Sequence, residues 1–179
     1  MKNLEEILTG CKSGSRTAQK ALYDYYAPIF LAICRRYIRD VDQAEDVMIK
    51  GFFKIFSKIN DFRDAGSFEG WMKKIMVNES LMLLRKNKNF HLSLDTSFHD
   101  VPLDAGIESN MDYVLLLEAI QSLPDGYRTI FNMYVIEGYK HREIAETLHI
   151  SINTSKSQLI QAKRKLQQIL KKKLSIKIA

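Results

Sequence analysis

A chain of 179 residues that is 46% hydrophobic and 27% charged has the composition of a soluble folded protein, with room for one large domain or two small ones. No apolar run reaches the roughly 18 residues a membrane span needs, MKNLEEILTG lacks the basic-then-apolar pattern of a signal peptide, and Cys11, Cys34 and the four histidines match no metal-ligand spacing. The expectation is therefore a cytoplasmic protein with reduced thiols, no membrane span, no metal and no cofactor, whose net charge of +6 suits a polyanion or a solvated surface.

Residues 4–88 read as almost entirely helical. Within AEDVMIKGFFKIFSKI, the residues Ala44, Val47, Met48, Gly51, Phe52, Ile55, Phe56 and Ile59 recur at spacings of three and four, a continuous apolar stripe of helical period. Asp42, Glu45 and Asp46 fall in the first turn, where the helix dipole favours acids, and Lys54 and Lys58 fall near the end. Ile49 and Phe53 point away from the stripe. That pair is either buried against a third helix or left as an exposed patch for a partner.

In SFEGWMKKIMVNESLMLLRKNK, Ser67 is placed to cap a helix carrying Phe68, Trp71, Met72, Ile75 and Met76. Asn78 interrupts the pattern, which Leu81, Leu83 and Leu84 resume before a basic end. Aromatics among basic side chains suit single-stranded nucleic acid, whose bases stack on rings while Lys and Arg hold phosphates. At this spacing Phe68 and Trp71 are more often core than stacking platforms.

Residues 89–110 lose the helical period and gather Ser, Asp, Thr, Pro and Gly, the composition of a linker. All four of their charged side chains (Asp95, Asp100, Asp104, Glu108) are acidic. Six apolar residues, from Phe90 to Leu103, make the segment more than a spacer; it could thread a basic channel or fold back on the flanking domains.

From Met111 the helical period returns. MDYVLLLEAIQSLP ends at Pro124, which is expected to start a turn with Asp125 and Gly126, and YRTIFNMYVIEGY stops near Gly138. HREIAETLHI then gives a short helix with Ile144, Ala145 and Leu148 inward. After the turn at HIS, Ser151 is placed to cap a last helix that buries Ile152, Leu159, Ala162 and Leu166. Its outward residues are Thr154, Lys156, Ser157, Gln158, Ile160, Gln161 and Arg164. From Ser151 onward every charged side chain is basic. Two helices joined this way form a helix-turn-helix, whose second helix enters a major groove. Gln158 and Gln161 suit adenine, and Ile160 suits a thymine methyl.

EIAETLHISINTSKSQLIQAKRKL resembles the pattern EIAELLGISEGTVKSRLHRARKKL of region 4 of bacterial sigma factors. Upstream, AEDVMIKGFFKIF is similar to the region 2 signature AEDLVQETFLRAW, and SFEGWMKKIMVNESLMLLRK to SFRAWLYRIARNRAIDHLRR. The chain thus resembles the extracytoplasmic-function type of sigma factor in the sigma-70 superfamily. The resemblance implies an all-α protein of two small helical domains, a region 2-like domain at 1–88 and a region 4-like domain at 111–179, joined by an irregular acidic linker at 89–110.

It further implies an alternative sigma factor with no catalytic residue. Its partners would be core RNA polymerase, promoter DNA and an anti-sigma factor. Core polymerase would be bound through Asp46, Ile49, Lys50 and Phe53. The melted −10 element would meet Asn78, Trp71, Arg63, Arg85, Lys86 and Lys88, with Asn78 at the position that holds a flipped-out base. The −35 element would be read by Thr154, Lys156, Ser157, Gln158, Ile160, Gln161 and Arg164. Some positions differ from the pattern: Ile49 and Lys50 replace a Gln-Glu pair, Ser155 replaces a Val, and Gln158 and Gln161 replace arginines. His149 stands at the turn glycine, which predicts either an unusual backbone angle there or an altered turn. The alternative reading is a stand-alone helix-turn-helix regulator that binds duplex DNA without polymerase.

Overall fold

The computed structural model describes residues 4–62, 66–86 and 111–178, and the chain divides into two units, Met1–Asn87 and Lys88–Ala179. Every regular element among the described residues is helical. The expected linker lies outside the described residues.

The first unit holds α1 (Leu4–Lys12), α2 (Arg16–Tyr37), α3 (Val41–Lys58), a 3₁₀ turn at Ile59–Asp61 and α4 (Phe68–Lys86). Side chains cap three of these helices, each satisfying an N–H that the first turn leaves without an intrahelical partner. Ser15 Oγ accepts from the Ala18 N–H at 3.4 Å, Asp40 Oδ1 from Gln43 at 2.8 Å, and Ser67 Oγ from Gly70 at 3.3 Å. The last of these is the cap expected from the sequence.

α3 buries Ala44, Val47, Met48, Gly51, Phe52 and Ile55, as its period predicts, while Phe56 is only half-buried. Phe52 meets Phe30 of α2 at a ring separation of 5.3 Å and Tyr23 at 4.7 Å, and Phe30 stacks on Tyr26 at 5.2 Å. Such pairs each add about 0.5–1.5 kcal/mol beyond the area they bury. On the other side, Gly51 lets α3 close on α4, because a Cβ there would collide with the sulfur of buried Met76.

Asn78 interrupts the apolar pattern without interrupting the helix. α4 runs unbroken, with Asn78 exposed on its outer side. Phe68, Met72, Met76, Ser80 and Leu84 form its buried row at four-residue spacing. Asn is a mediocre helix former but costs well under ~1 kcal/mol at an exposed interior position, so the packed row decides the matter. Ser80 is buried without penalty because its hydroxyl donates to the Met76 carbonyl at 2.9 Å.

The second unit holds α5 (Met111–Ser122), α6 (Asp125–Phe131) continued by a π turn at Asn132–Ile136, α7 (His141–Leu148) and α8 (Ile152–Ile178). α6 begins directly after Pro124, so Asp125 and Gly126 belong to a helix and not to the expected turn. The link is held from inside by Arg128, 1% exposed. Its Nη1 donates to the carbonyls of Gln121 (3.2 Å) and Leu123 (3.0 Å), and its Nη2 to Asp125 Oδ1 at 2.7 Å. Carbonyls at the end of α5 that lack intrahelical partners thus receive donors from a buried cation.

Candidate polymerase and nucleic-acid interfaces

In the first unit, Asp46 is followed by Ile49 and Lys50 three and four residues on, and those by Phe53 four and three residues on, so that all four share one side of α3, and all are exposed. Ile49 is 55% and Phe53 74% exposed, so no third helix covers them within the unit. The spacing that buries Val47, Met48 and Phe52 necessarily turns these four outward. The result is an apolar pair flanked by one acid and one base, and Asp46 and Lys50 have no ion-pair partner among the described residues. Beside this face, Lys54 of α3 bridges to Glu79 of α4 at 2.5 Å, its Nζ 3.9 Å from the sulfur of exposed Met82. Tyr25 and Ile29 of α2 are exposed as well; no periodicity in the sequence marks them, because α2 carries apolar residues on several sides.

On α4, Trp71, Asn78 and Arg85 stand seven residues apart, two helical turns, and so share one face at about 10.5 Å of rise per step. Asn78, Arg85 and Lys86 are exposed and Trp71 is half-buried. Lys74, which sequence reasoning did not select, is exposed along the same line. Trp71 stacks on Phe68 with centroids 5.7 Å apart and 20° between planes, and lies 5.6 Å from the ring of Phe62. Phe68 is therefore core, whereas Trp71 is anchored by the core and keeps an accessible part. Arg63 and Lys88 lie outside the described residues.

In the second unit, the helix-turn-helix has its expected turn. His149 ends α7 in the left-handed region (φ 56°, ψ 46°), a conformation that costs a non-glycine residue about 1–2 kcal/mol. The Ile150 N–H donates back to the Ala145 carbonyl at 3.0 Å. Ser151 caps α8 as expected, its Oγ accepting from the Thr154 N–H at 2.9 Å and lying 2.8 Å from Thr154 Oγ1.

The buried side of α8 keeps the expected Leu159, Ala162 and Leu166 but takes in two polar residues and loses Ile152. It consists of Ser155, Gln158, Leu159, Ala162 and Leu166, while Ile152 is exposed. Gln158, at 6% exposure, is thus withdrawn from the reading face to which the sequence assigned it. Ser155 lies on the expected line, three residues after Ile152 and four before Leu159. A polar residue is not expected inward, but its Oγ shares a 2.9 Å hydrogen bond with His141 Nδ1 of α7. With that partner supplied, Ser155 is buried with its hydrogen-bonding capacity met. His141 is in turn stacked on Tyr134, ring centroids 4.4 Å apart. Burial lowers the His141 pKa from its ordinary value, and Lys156 and Lys163 lower it further.

Lys156, Ser157, Ile160 and Arg164 remain exposed, and Thr154 and Gln161 half-buried. These side chains form a basic and polar face with one apolar group. No group of His, Cys, Asp and Glu among the described residues could hold a metal, and burial pushes the Cys34 thiol up to about 11, which keeps it protonated and unreactive. No helix among the described residues is long and apolar enough to cross a membrane.

Comparison with known proteins gives matches in both units. Residues 22–90 match the family described as Sigma-70 region 2, and residues 113–166 match Sigma-70, region 4. The RNA polymerase sigma factor SigV of Bacillus subtilis (strain 168) is 29% identical over 147 residues, covering 82% of this chain and 87% of that protein. The ECF RNA polymerase sigma factor SigW of the same organism is 26% identical over 175 residues, covering 89% and 92%. Among solved structures, the sigma factor RpoE in complex with the anti-sigma factor NepR from Bartonella quintana superposes with a TM-score of 0.55 at 22% identity. That likeness, one of fold, covers 85% of this chain and 96% of that one.

Proposed function

The chain belongs to the sigma-70 family, in its extracytoplasmic-function branch, and from that premise we propose which of its surfaces meets which partner. It is an alternative sigma factor: it binds core RNA polymerase and promoter DNA and directs transcription initiation at particular promoters. We assign no chemistry to the chain itself, since a transcription initiation factor leaves nucleotide transfer to the polymerase. Its place of work is then the cytoplasm, where core polymerase and promoters are.

The observation that carries this reading is the order of the two matches on one chain, region 2 before region 4. A stand-alone regulator has no use for the first, and none of the similar proteins favours it. In the proposed division of labour, residues 1–88 bind core polymerase and the −10 element, and residues 111–179 bind the −35 element. The segment 89–110 passes through the polymerase between them.

The exposed α3 stripe of Asp46, Ile49, Lys50 and Phe53 supports the core contact. Two large apolar side chains held in water become favourable when a partner covers them, at about 25 cal/mol per Å² buried. The α4 face supports capture of melted DNA, with Trp71 offering a ring edge, Asn78 an amide for an extruded base, and Arg85 and Lys86 phosphate contacts; Arg63 and Lys88 are proposed as further phosphate contacts. On α8, Lys156 and Arg164 support phosphate binding, and Ser157, Ile160 and Gln161 base contact, with Thr154 near the backbone. Since the structural relative RpoE is held by an anti-sigma factor, an anti-sigma partner is proposed here too, with the α3 stripe the surface it gains most by covering.

The test is binding of the purified protein to core RNA polymerase beside an Asp46→Arg variant whose helical content and melting are checked in parallel. Charge reversal at an exposed position leaves the fold intact, so loss of binding by at least tenfold supports the α3 contact. Equal binding by the variant moves the contact elsewhere on the chain, and no binding by the unmodified protein defeats the reading.

A further inference from the structure

With Gln158 withdrawn into the interface, the side chain that reads a base at the start of α8 must be another. The burial pattern of α8 defines its outermost line independently of any motif. Opposite the buried residues Ser155, Leu159, Ala162 and Leu166 run Asn153, Ser157, Ile160 and Arg164, at steps of four, three and four, all exposed. Asn153 opens that line. It lies in the part of a recognition helix that lies closest to the base edges.

The hydrogen-bonding state of its neighbours singles it out further. The Thr154 hydroxyl is engaged with Ser151 Oγ at 2.8 Å, and the Ser157 hydroxyl donates to the Thr154 carbonyl at 3.1 Å. Asn153 makes no hydrogen bond among the described residues, so both ends of its amide are available. An amide offers a donor and an acceptor side by side, matching adenine's N7 acceptor and N6 donor in the major groove. The sigma region 4 pattern carries a glycine at this position, so the resemblance does not point to it.

We propose that Asn153 is a specificity-determining residue that selects an adenine in the upstream promoter element. The inference rests on the reading of α8 as the helix that binds that element. Ile160, two turns on, then supplies an apolar contact further along the same groove, and Arg164 meets phosphate where the helix leaves it.

The test uses the full chain with core RNA polymerase and a promoter pool whose upstream element is randomised, with transcripts sequenced. The unmodified protein is expected to prefer adenine about tenfold at one position, within the discrimination a bidentate amide–adenine pair provides. Asn153→Ala should erase the preference at that position alone, and Asn153→Arg should shift it toward guanine. Gln158→Ala should leave the preferred sequence unchanged. An unchanged pattern in Asn153→Ala, a uniform loss across all sequences, or loss of the adenine preference in Gln158→Ala would each overturn the assignment. A pool from which the unmodified protein selects no upstream sequence at all would instead overturn the reading of α8, and the assignment with it.

Discussion

The most informative single residues of this chain are polar ones in apolar places. His141 ties α7 to α8 through Ser155 and rests on Tyr134. Its pKa is lowered, first by burial and then by Lys156 and Lys163, so the folded protein favours the neutral imidazole. The sign of the effect follows: the unfolded chain, with an ordinary imidazole pKa of about 6.5, binds the proton more readily than the folded one. The stability contributed is complete above that pH and is lost as pH falls through it toward the lower folded value. Thermal melts of the full chain between pH 5 and 8 should therefore converge at low pH with those of His141→Gln, and separate above pH 7. Parallel curves across the range would show that His141 does not titrate in this way. Buried Arg128 has a comparable structural role, and nothing in YRTIF announces it. A basic residue among apolar ones reads as solvent-facing until the carbonyls of Gln121 and Leu123 are seen to converge on it.

At the scale of the element, α3 was the most legible part of the chain, because a stripe sustained over four turns admits only one inward face. The sequence could not say whether the opposite pair, Ile49 and Phe53, was covered, since periodicity reports which residues share a side and not what lies beyond it. α4 was less legible. Asn78 interrupts its apolar pattern, and polar Ser80 belongs to the four-spaced row with Met72, Met76 and Leu84 that holds the helix to α2 and α3. The α3–α4 approach depends on Gly51. Gly51→Ala gains helix propensity of roughly 0.8–1 kcal/mol but drives a methyl into the thioether end of buried Met76, which must shift to admit it. Overpacking of this kind costs typically ~1–3 kcal/mol, so the net expectation is a loss of about 1 kcal/mol in chemical denaturation. A gain in stability would mean that Met76 repacks freely.

For the molecule as a whole, charge decides how promoter DNA is first met. Every charged residue from Ser151 onward is basic, whereas all four charged residues in 89–110 are acidic, so attraction for a polyanion is concentrated in the C-terminal helix and excluded from the linker. Each phosphate neutralised by Lys or Arg releases about 0.9 counterion from duplex DNA. Lys156→Ala is thus expected to weaken promoter binding by the holoenzyme and reduce the slope of log affinity against log salt by about one, without changing the preferred sequence. An unchanged slope would place Lys156 away from the backbone.

The sequence by itself determined that the chain is helical, that its two signatures stand in a set order, and that α3 and the helix-turn-helix exist. Those features are written in periodicity and turn chemistry, which act over a few residues. It also marked His149 as either a strained position or an altered turn, and the left-handed backbone there is the first of these. Only the tertiary structure decided which polar residues of α8 are buried. Ser155 is inward with a hydrogen bond to His141, fourteen residues away, and burial of a polar group is settled by the partner it finds and not by its own type. Gln158 is buried there, Ile152 lies out in solvent, and Asn153 stands at the head of the exposed line of α8.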